Sequence, residues 1–352
     1  MDVDCIFSFV CHQEHIEEGQ MKGGSKRMKN IWLVDFDGKI ENLALMRLST
    51  YWKQRDAHVE LKHGALNRAG EVTDSFLFPS LLENPDKVYI SCLFRWHRDA
   101  ALQLTAAWGD RAEVGGTGVD YSIKLPEEVA ACEPDYTLYG EERAIGFISR
   151  GCPNRCPWCV VWRKEGELHR VSTAQALVGE RTELLALDNN FLGLPDHLDD
   201  LRWLVENEVP VDFNQGLDAR LVTEENASLL AKAKWLAGGP RFALDGDYDG
   251  QKDALARTLD LLERFGLSRN TITVFVLIGF SGKSSDVERL IYVHQLGARV
   301  FPMGYRHLKT GDEPATGWNR PLYKKYKRLI CRIPHATSVW ADFEREVEYG
   351  ES

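Results

Sequence analysis

Apolar and polar positions follow two rhythms along the chain. From Ile31 the order reads strand, helix, strand: a continuous apolar run at 31–36, a helix at 41–55 and a strand at 58–61. Within the helix, Leu43, Met46, Leu48 and Trp52 recur at the spacing that lines one face. A second round predicts a buried strand at 87–94, a helix at 99–108 and a backbone turn at Gly115-Gly116-Thr117-Gly118, where positive φ is tolerated. Such alternation predicts a small parallel α/β layer. Between Leu125 and Glu142, prolines and acidic residues break the periodicity, and a linker is expected.

Beyond the linker, six short apolar strands recur at 144–149, 184–188, 209–213, 241–245, 271–278 and 299–303, with helices between them. Ser172 with Gln175, and Thr223 followed by Glu224 and Glu225, are suited to the unsatisfied amides and positive dipole end of helix starts. A repeated βα unit with right-handed crossovers curls a sheet toward a barrel. Reactive groups then gather at the C-terminal strand ends, where loops vary without disturbing the core. The expected organisation is a loose extension at 1–27, an α/β domain at 28–140, a barrel at 141–310 and a helical C-terminal segment at 311–352.

Composition narrows the partners. The 352 residues are 44% hydrophobic and 27% charged, enough for one large core or two modest ones. The net charge of −10 argues against broad binding to nucleic acid. The basic run Arg320–Arg332, with Lys324, Lys325, Lys327 and Arg328, reads as a solvated helix face. The longest notable apolar run, Ile272–Phe280, has nine residues, against the roughly 20 that span a bilayer. No membrane partner is expected. Asp2 and Asp4 precede the apolar Cys5–Val10 where an export signal carries positive charge. Eight cysteines, three of them within eight residues, do not resemble a disulfide framework, so a reducing, cytoplasmic setting is expected.

Those three stand in Cys152-Pro153-Asn154-Arg155-Cys156-Pro157-Trp158-Cys159, directly after the first strand of the βα repeat. Gaps of three and two residues let one loop wrap its sulfurs around an iron-sulfur cluster, with Gly151 and the prolines holding the backbone off regular structure. Three protein thiolates leave one iron open to an external chelating ligand. A zinc knuckle would need a second pair of ligands elsewhere, and Cys5, Cys11, Cys92, Cys132 and Cys331 stand apart.

In the CxxxCxxC spacing and the aromatic Trp158 before its last cysteine, the sequence resembles the radical S-adenosylmethionine (SAM) superfamily. The resemblance spans about 143–310 and implies a partial (βα)6 radical SAM barrel, with a [4Fe-4S] cluster on Cys152, Cys156 and Cys159. SAM would chelate the open iron, be cleaved by one electron from a reductant such as flavodoxin or ferredoxin, and yield a radical that abstracts hydrogen from an unknown substrate. It also implies contacts to SAM. Asp188, Asn189 and Asn190 stand where the family's glycine-rich motif holds the SAM amino group, though they depart from its Gly-Gly-Glu pattern. Asp245 is placed for the ribose hydroxyls, Gly279 and Met303 for the adenine, and Arg220, after the third strand with Asn214, Gln215 and Asp218, for the SAM carboxylate. Residues 28–140 resemble the Rossmann-like, cobalamin-binding-like domain that precedes many such cores, but lack an Asp-x-His-x-x-Gly element. Cobalamin-dependent methyl transfer and a non-catalytic iron-sulfur or zinc protein remain the alternatives.

Three other motifs carry less. Asp245-Gly246-Asp247-Tyr248-Asp249-Gly250 copies half a calcium loop, but Ala256 replaces the closing glutamate. Gly282-Lys283-Ser284 lacks the first glycine of a phosphate loop, where Leu277 stands. Asp35-Phe36-Asp37-Gly38 resembles the nucleophile loop of haloacid-dehalogenase-like phosphatases, but Lys39 replaces their small hydroxyl residue.

Overall fold

The computed structural model describes residues 28–64, 72–73, 77–80, 84–246, 248–311, 318, 320–332 and 334–349. The expected extension at 1–27 lies outside the described residues, as does Asp247 of the calcium-like run. The described chain is mixed α/β with parallel sheets, in two compact units that divide between Glu142 and Arg143, Lys309–Gly311 grouping with the first. Among the described residues, no helix is long and apolar enough to cross a membrane.

The first unit holds β1 (Asn30–Asp35), β2 (His58–His63), β3 (Lys87–Ser91) and β4 (Ala112–Gly115), all parallel in the order β2-β1-β3-β4. β1 is central and buried on both faces, which explains its unbroken run Ile31-Trp32-Leu33-Val34. Helix α1 (Leu43–Lys53) starts two residues later than expected, because the Asn42 side chain accepts the amides of Ala44 and Leu45. Helix α2 (Arg98–Trp108) seats Trp108 edge-on to Trp32 at 5.5 Å. The expected linker contains a short helix, α3 (Glu127–Ala130).

At the carboxyl edge of this sheet, β3 ends at Ser91 rather than at 94. The Asp37 carboxylate accepts the amides of Leu93 (2.7 Å) and Phe94 (3.0 Å) and pairs with His97 (3.0 Å), turning the chain out of the ladder. Asp35 accepts from the Gly38 amide (3.0 Å) and the Tyr139 hydroxyl (2.8 Å), and burial raises its pKa. Both carboxylates are thus engaged by the chain's own donors, an arrangement that holds loops rather than presenting a nucleophile.

The second unit opens with β5 (Ala144–Gly146), then the short antiparallel pair β6 (Ser149–Arg150) and β7 (His169–Arg170), with α4 (Val161–Lys164) between them. There follow α5 (Ala174–Val178), β8 (Leu184–Ala186), α6 (His197–Glu206), β9 (Val211–Phe213), α7 (Glu224–Lys232), β10 (Arg241–Ala243), α8 (Tyr248–Arg264), β11 (Thr273–Ile278), α9 (Lys283–Gln295) and β12 (Arg299–Gly304). Two three-stranded parallel sheets result, β5-β8-β9 and β10-β11-β12. A parallel bridge between Leu217 and Phe242 joins them, so six strands follow one another in chain order.

Alternation along each strand gives the faces separate tasks. Phe242, Val274, Val276, Ile278 and Val300 pack into the main core with the helices. Phe275, Leu277, Phe301 and Met303 lie on the other face, in register as Phe275 with Phe301 and Leu277 with Met303. The C-terminal helices α10 (Arg320–Arg332) and α11 (Thr337–Tyr349) add Tyr326, Ile330, Trp340 and Phe343 to the core. The basic run of α10 is partly used internally: Lys325 pairs with Glu346, and Lys327 lies over the Phe301 ring.

Candidate functional site

The three cysteines occupy the connection between β6 and β7. Asp188, just past β8, fixes where that connection begins: its buried carboxylate accepts the amides of Ile148 (3.1 Å) and Ser149 (2.5 Å) and the Ser149 hydroxyl (2.6 Å). Burial pushes its pKa up to about 6 against the pull of these donors. The same bonds split the expected strand 144–149 into β5 and β6. Arg150 then grips Glu165 through two bonds of 2.8 and 3.1 Å, closing the base of the loop. Gly151 sits at φ +83°, and a Cβ there would lie 2.3 Å from the Glu167 carbonyl oxygen, so only glycine lets the strands pass.

Inside the loop the three cysteines form no disulfide and are half-buried. The Cys159 amide donates to the Cys156 carbonyl (3.1 Å), the Trp162 indole to the same oxygen (3.2 Å), and the Val161 amide to the Cys159 sulfur (3.4 Å). Asn190 donates its side-chain amide to the Cys152 sulfur (3.5 Å). Burial raises the Cys156 pKa, the negative groups at Cys152, Asp245 and Asp218 add to it, and Arg220 opposes. Among the described residues, no three His, Cys, Asp or Glu side chains are gathered as ligands of one metal ion. A cluster distributes its thiolates over different irons, so it does not require the sulfurs to converge on one point.

The ends of the later strands meet this loop. Asn154 donates to Asp218 (3.1 Å), and Asp218 is clasped by Arg220 through bonds of 2.9 and 2.7 Å. Burial raises the Asp218 pKa, but Arg220 more than offsets it and leaves the carboxyl lowered. The Asp245 carboxylate accepts the Leu277 amide (3.2 Å), and the nearby Trp158 side chain favours its ionised form. Burial pushes Asp245 up to about 6. The Trp158 ring meets Phe280 edge-on at 5.1 Å, and a Cβ on Gly246 would lie 2.7 Å from it. Phe280 in turn meets Tyr305 at 5.1 Å.

Of the residues singled out in the sequence, a hydrogen bond ties Cys152 to Asn190, and Trp158 acts electrostatically on Asp245. Arg220 and Asp245 both act electrostatically on Cys156. Gly279, at φ +91°, donates its amide to Asp286 (2.7 Å), and Met303 sits beside Leu277 in register. Asp188 faces the start of the cysteine loop, and its two oxygens are engaged there. Asn189 Oδ1, Asn190 Oδ1 and Asn214 Nδ2 are buried without a hydrogen-bond partner, whereas native buried polar atoms are nearly always satisfied. Sequence reasoning missed Asn154, Ser149 and the buried pair Asp286–Arg289. The last had a readable signal: opposite charges three residues apart on the helix facing a strand end.

No protein-family model matches the chain, and no curated protein matches it by sequence.

Proposed function

We propose that the chain is a radical SAM enzyme, its cluster held by Cys152, Cys156 and Cys159. The observation that carries this reading is that one loop bears all three thiols at the carboxyl ends of six sequential parallel strands, beside buried carbonyl oxygens of Asn189 and Asn190 that lack donors. That strand order is the one expected of a partial (βα)6 radical SAM barrel.

The residues present fit the two groups. The unsatisfied Asn189 and Asn190 oxygens are acceptors for an ammonium group. Arg220 offers a guanidinium to a carboxylate, Asp245 an acceptor to ribose hydroxyls, and the surface of Leu277, Gly279 and Met303 an apolar rest for a purine. When bound, the cluster and SAM supply one-electron cleavage of the sulfonium and hydrogen abstraction from a substrate. The protein's part is to hold and orient. Asn190 bonds a ligating sulfur, Asp188 and the Arg150–Glu165 clasp fix the loop, and Trp158 with Phe280 keeps water from its rim. Because electrons come from outside, a one-electron carrier of the flavodoxin or ferredoxin class is the proposed partner. The proposed setting is cytoplasmic.

The described residues of the first, Rossmann-like unit do not fit cobalamin. Between β1 and β3, where the strand order reverses and ligands enter such sheets, Asp37 fills the crevice by capping Leu93 and Phe94. A Cβ on Gly116 would lie 2.1 Å from the Cys92 carbonyl oxygen, so backbone already packs on backbone there.

The test is anaerobic reconstitution with iron and sulfide, followed by iron analysis and electron paramagnetic resonance with and without SAM. About four irons per chain, with a reduced-cluster signal that SAM alters, supports the reading. A tightly bound zinc ion instead, or a cluster signal indifferent to SAM, supports the non-catalytic alternative.

A further inference from the structure

Asp286 and Arg289, on the first turns of α9, form an ion pair whose two side chains are both fully buried. Burying such a pair costs more than the attraction returns unless every remaining donor and acceptor is used. Here they are used on three separate pieces of chain. Arg289 donates to Asp286, to the main-chain carbonyls of Asp245 and Leu244, and to that of Ser285. The other Asp286 oxygen accepts the Gly279 amide (2.7 Å) and the Trp318 indole N–H (2.8 Å). One pair thus fixes the main chain at the end of β10, the main chain at the end of β11, and a tryptophan from the C-terminal segment.

Both strand ends belong to the wall that faces the cysteine loop, since a Cβ on Gly246, the residue after Asp245, would lie 2.7 Å from the Trp158 ring, and the residue after Gly279 is Phe280, the ring that Trp158 meets. A pair of apolar residues would pack α9 equally well. What it would not supply is directional bonds to two main-chain segments at once. We infer that Asp286, Arg289 and Trp318 are positioning residues that set the Asp245 and Gly279 wall for an adenosine group, making the C-terminal segment part of the ligand site. The inference rests on the SAM reading.

The experiment measures binding of SAM and of 5′-methylthioadenosine by calorimetry to the reconstituted full chain, wild type, Trp318→Phe and Asp286→Asn. It is run with each variant's melting temperature, cluster absorbance and amide exchange over 244–246 and 279–280. Trp318→Phe removes one bond to a buried carboxylate, and about a tenfold weaker binding of both ligands is expected. Exchange at the two strand ends rises and the melting temperature falls modestly, while cluster absorbance stays near wild type. Trp318→Phe keeps the test decisive if Asp286→Asn does not fold. Wild-type affinity and exchange in Trp318→Phe overturn the positioning role. If the wild-type chain binds neither ligand, the SAM reading fails and the role falls with it.

Discussion

Asn190 gives its side-chain N–H to the Cys152 sulfur at 3.5 Å and keeps its own carbonyl oxygen buried without a donor. One side chain thus faces a sulfur of the proposed cluster site with one end and carries an unmet acceptor need at the other. A hydrogen bond to a cluster sulfur stabilises the reduced state. Asn190→Ala is therefore expected to lower the cluster's reduction potential and weaken SAM binding together. Redox titration and calorimetry check the two halves; an unchanged potential contradicts the assigned bond.

Gly151→Ala places a Cβ 2.3 Å from the Glu167 carbonyl at a backbone angle that alanine disfavours. The strain alone is about 1–2 kcal/mol, and the contact cannot relax without opening the Arg150–Glu165 clasp. Iron content after reconstitution should fall to half of wild type or less, with the secondary structure seen by circular dichroism retained.

Burial holds Asp188 at about 6 in the folded chain against an ordinary value of 3.8. Between those values the folded state binds more protons than the unfolded one, so this group's contribution is fully present below pH about 4 and lost as pH rises through about 6. The difference corresponds to about 3 kcal/mol. Denaturant titrations of wild type should show stability falling over that window, and Asp188→Asn should show a flatter profile. Equal slopes would show that Asp188 titrates as it does in water.

These sites were unequally legible in the sequence. The central strands were readable because a parallel strand buried on both faces becomes a continuous apolar run, as in Ile31–Val34 or Val274–Ile278. The cysteine loop was readable from spacing alone. Element ends were less so: 144–149 breaks in two because a carboxylate forty residues away, Asp188, takes the Ile148 amide. β4 (Ala112–Gly115) was missed because its short run lacks an apolar signature and only pairing with β3 makes it a strand. The spacing of Asp286 and Arg289 was readable, but their burial was not, because burial of a charge depends on partners that are main-chain atoms at the ends of other strands.

Asp37 in the first unit supports two loop amides and His97 while nearly fully buried. Asp37→Ala leaves those donors unsatisfied and should destabilise this unit by about 2–4 kcal/mol. Thermal unfolding followed by tryptophan fluorescence checks this, since Trp32 and Trp108 report on the unit's core. A shift below the error of the melt would contradict the loop-holding role.

Whether the cysteine loop supports radical chemistry is decided by reducing the anaerobically reconstituted protein with dithionite, adding SAM, and quantifying 5′-deoxyadenosine against Cys156→Ala. Cluster-dependent 5′-deoxyadenosine is expected from the wild type and none above background from the variant. A full cluster that binds SAM yet yields no 5′-deoxyadenosine, with dithionite or with a flavodoxin-class donor, would contradict the radical SAM reading.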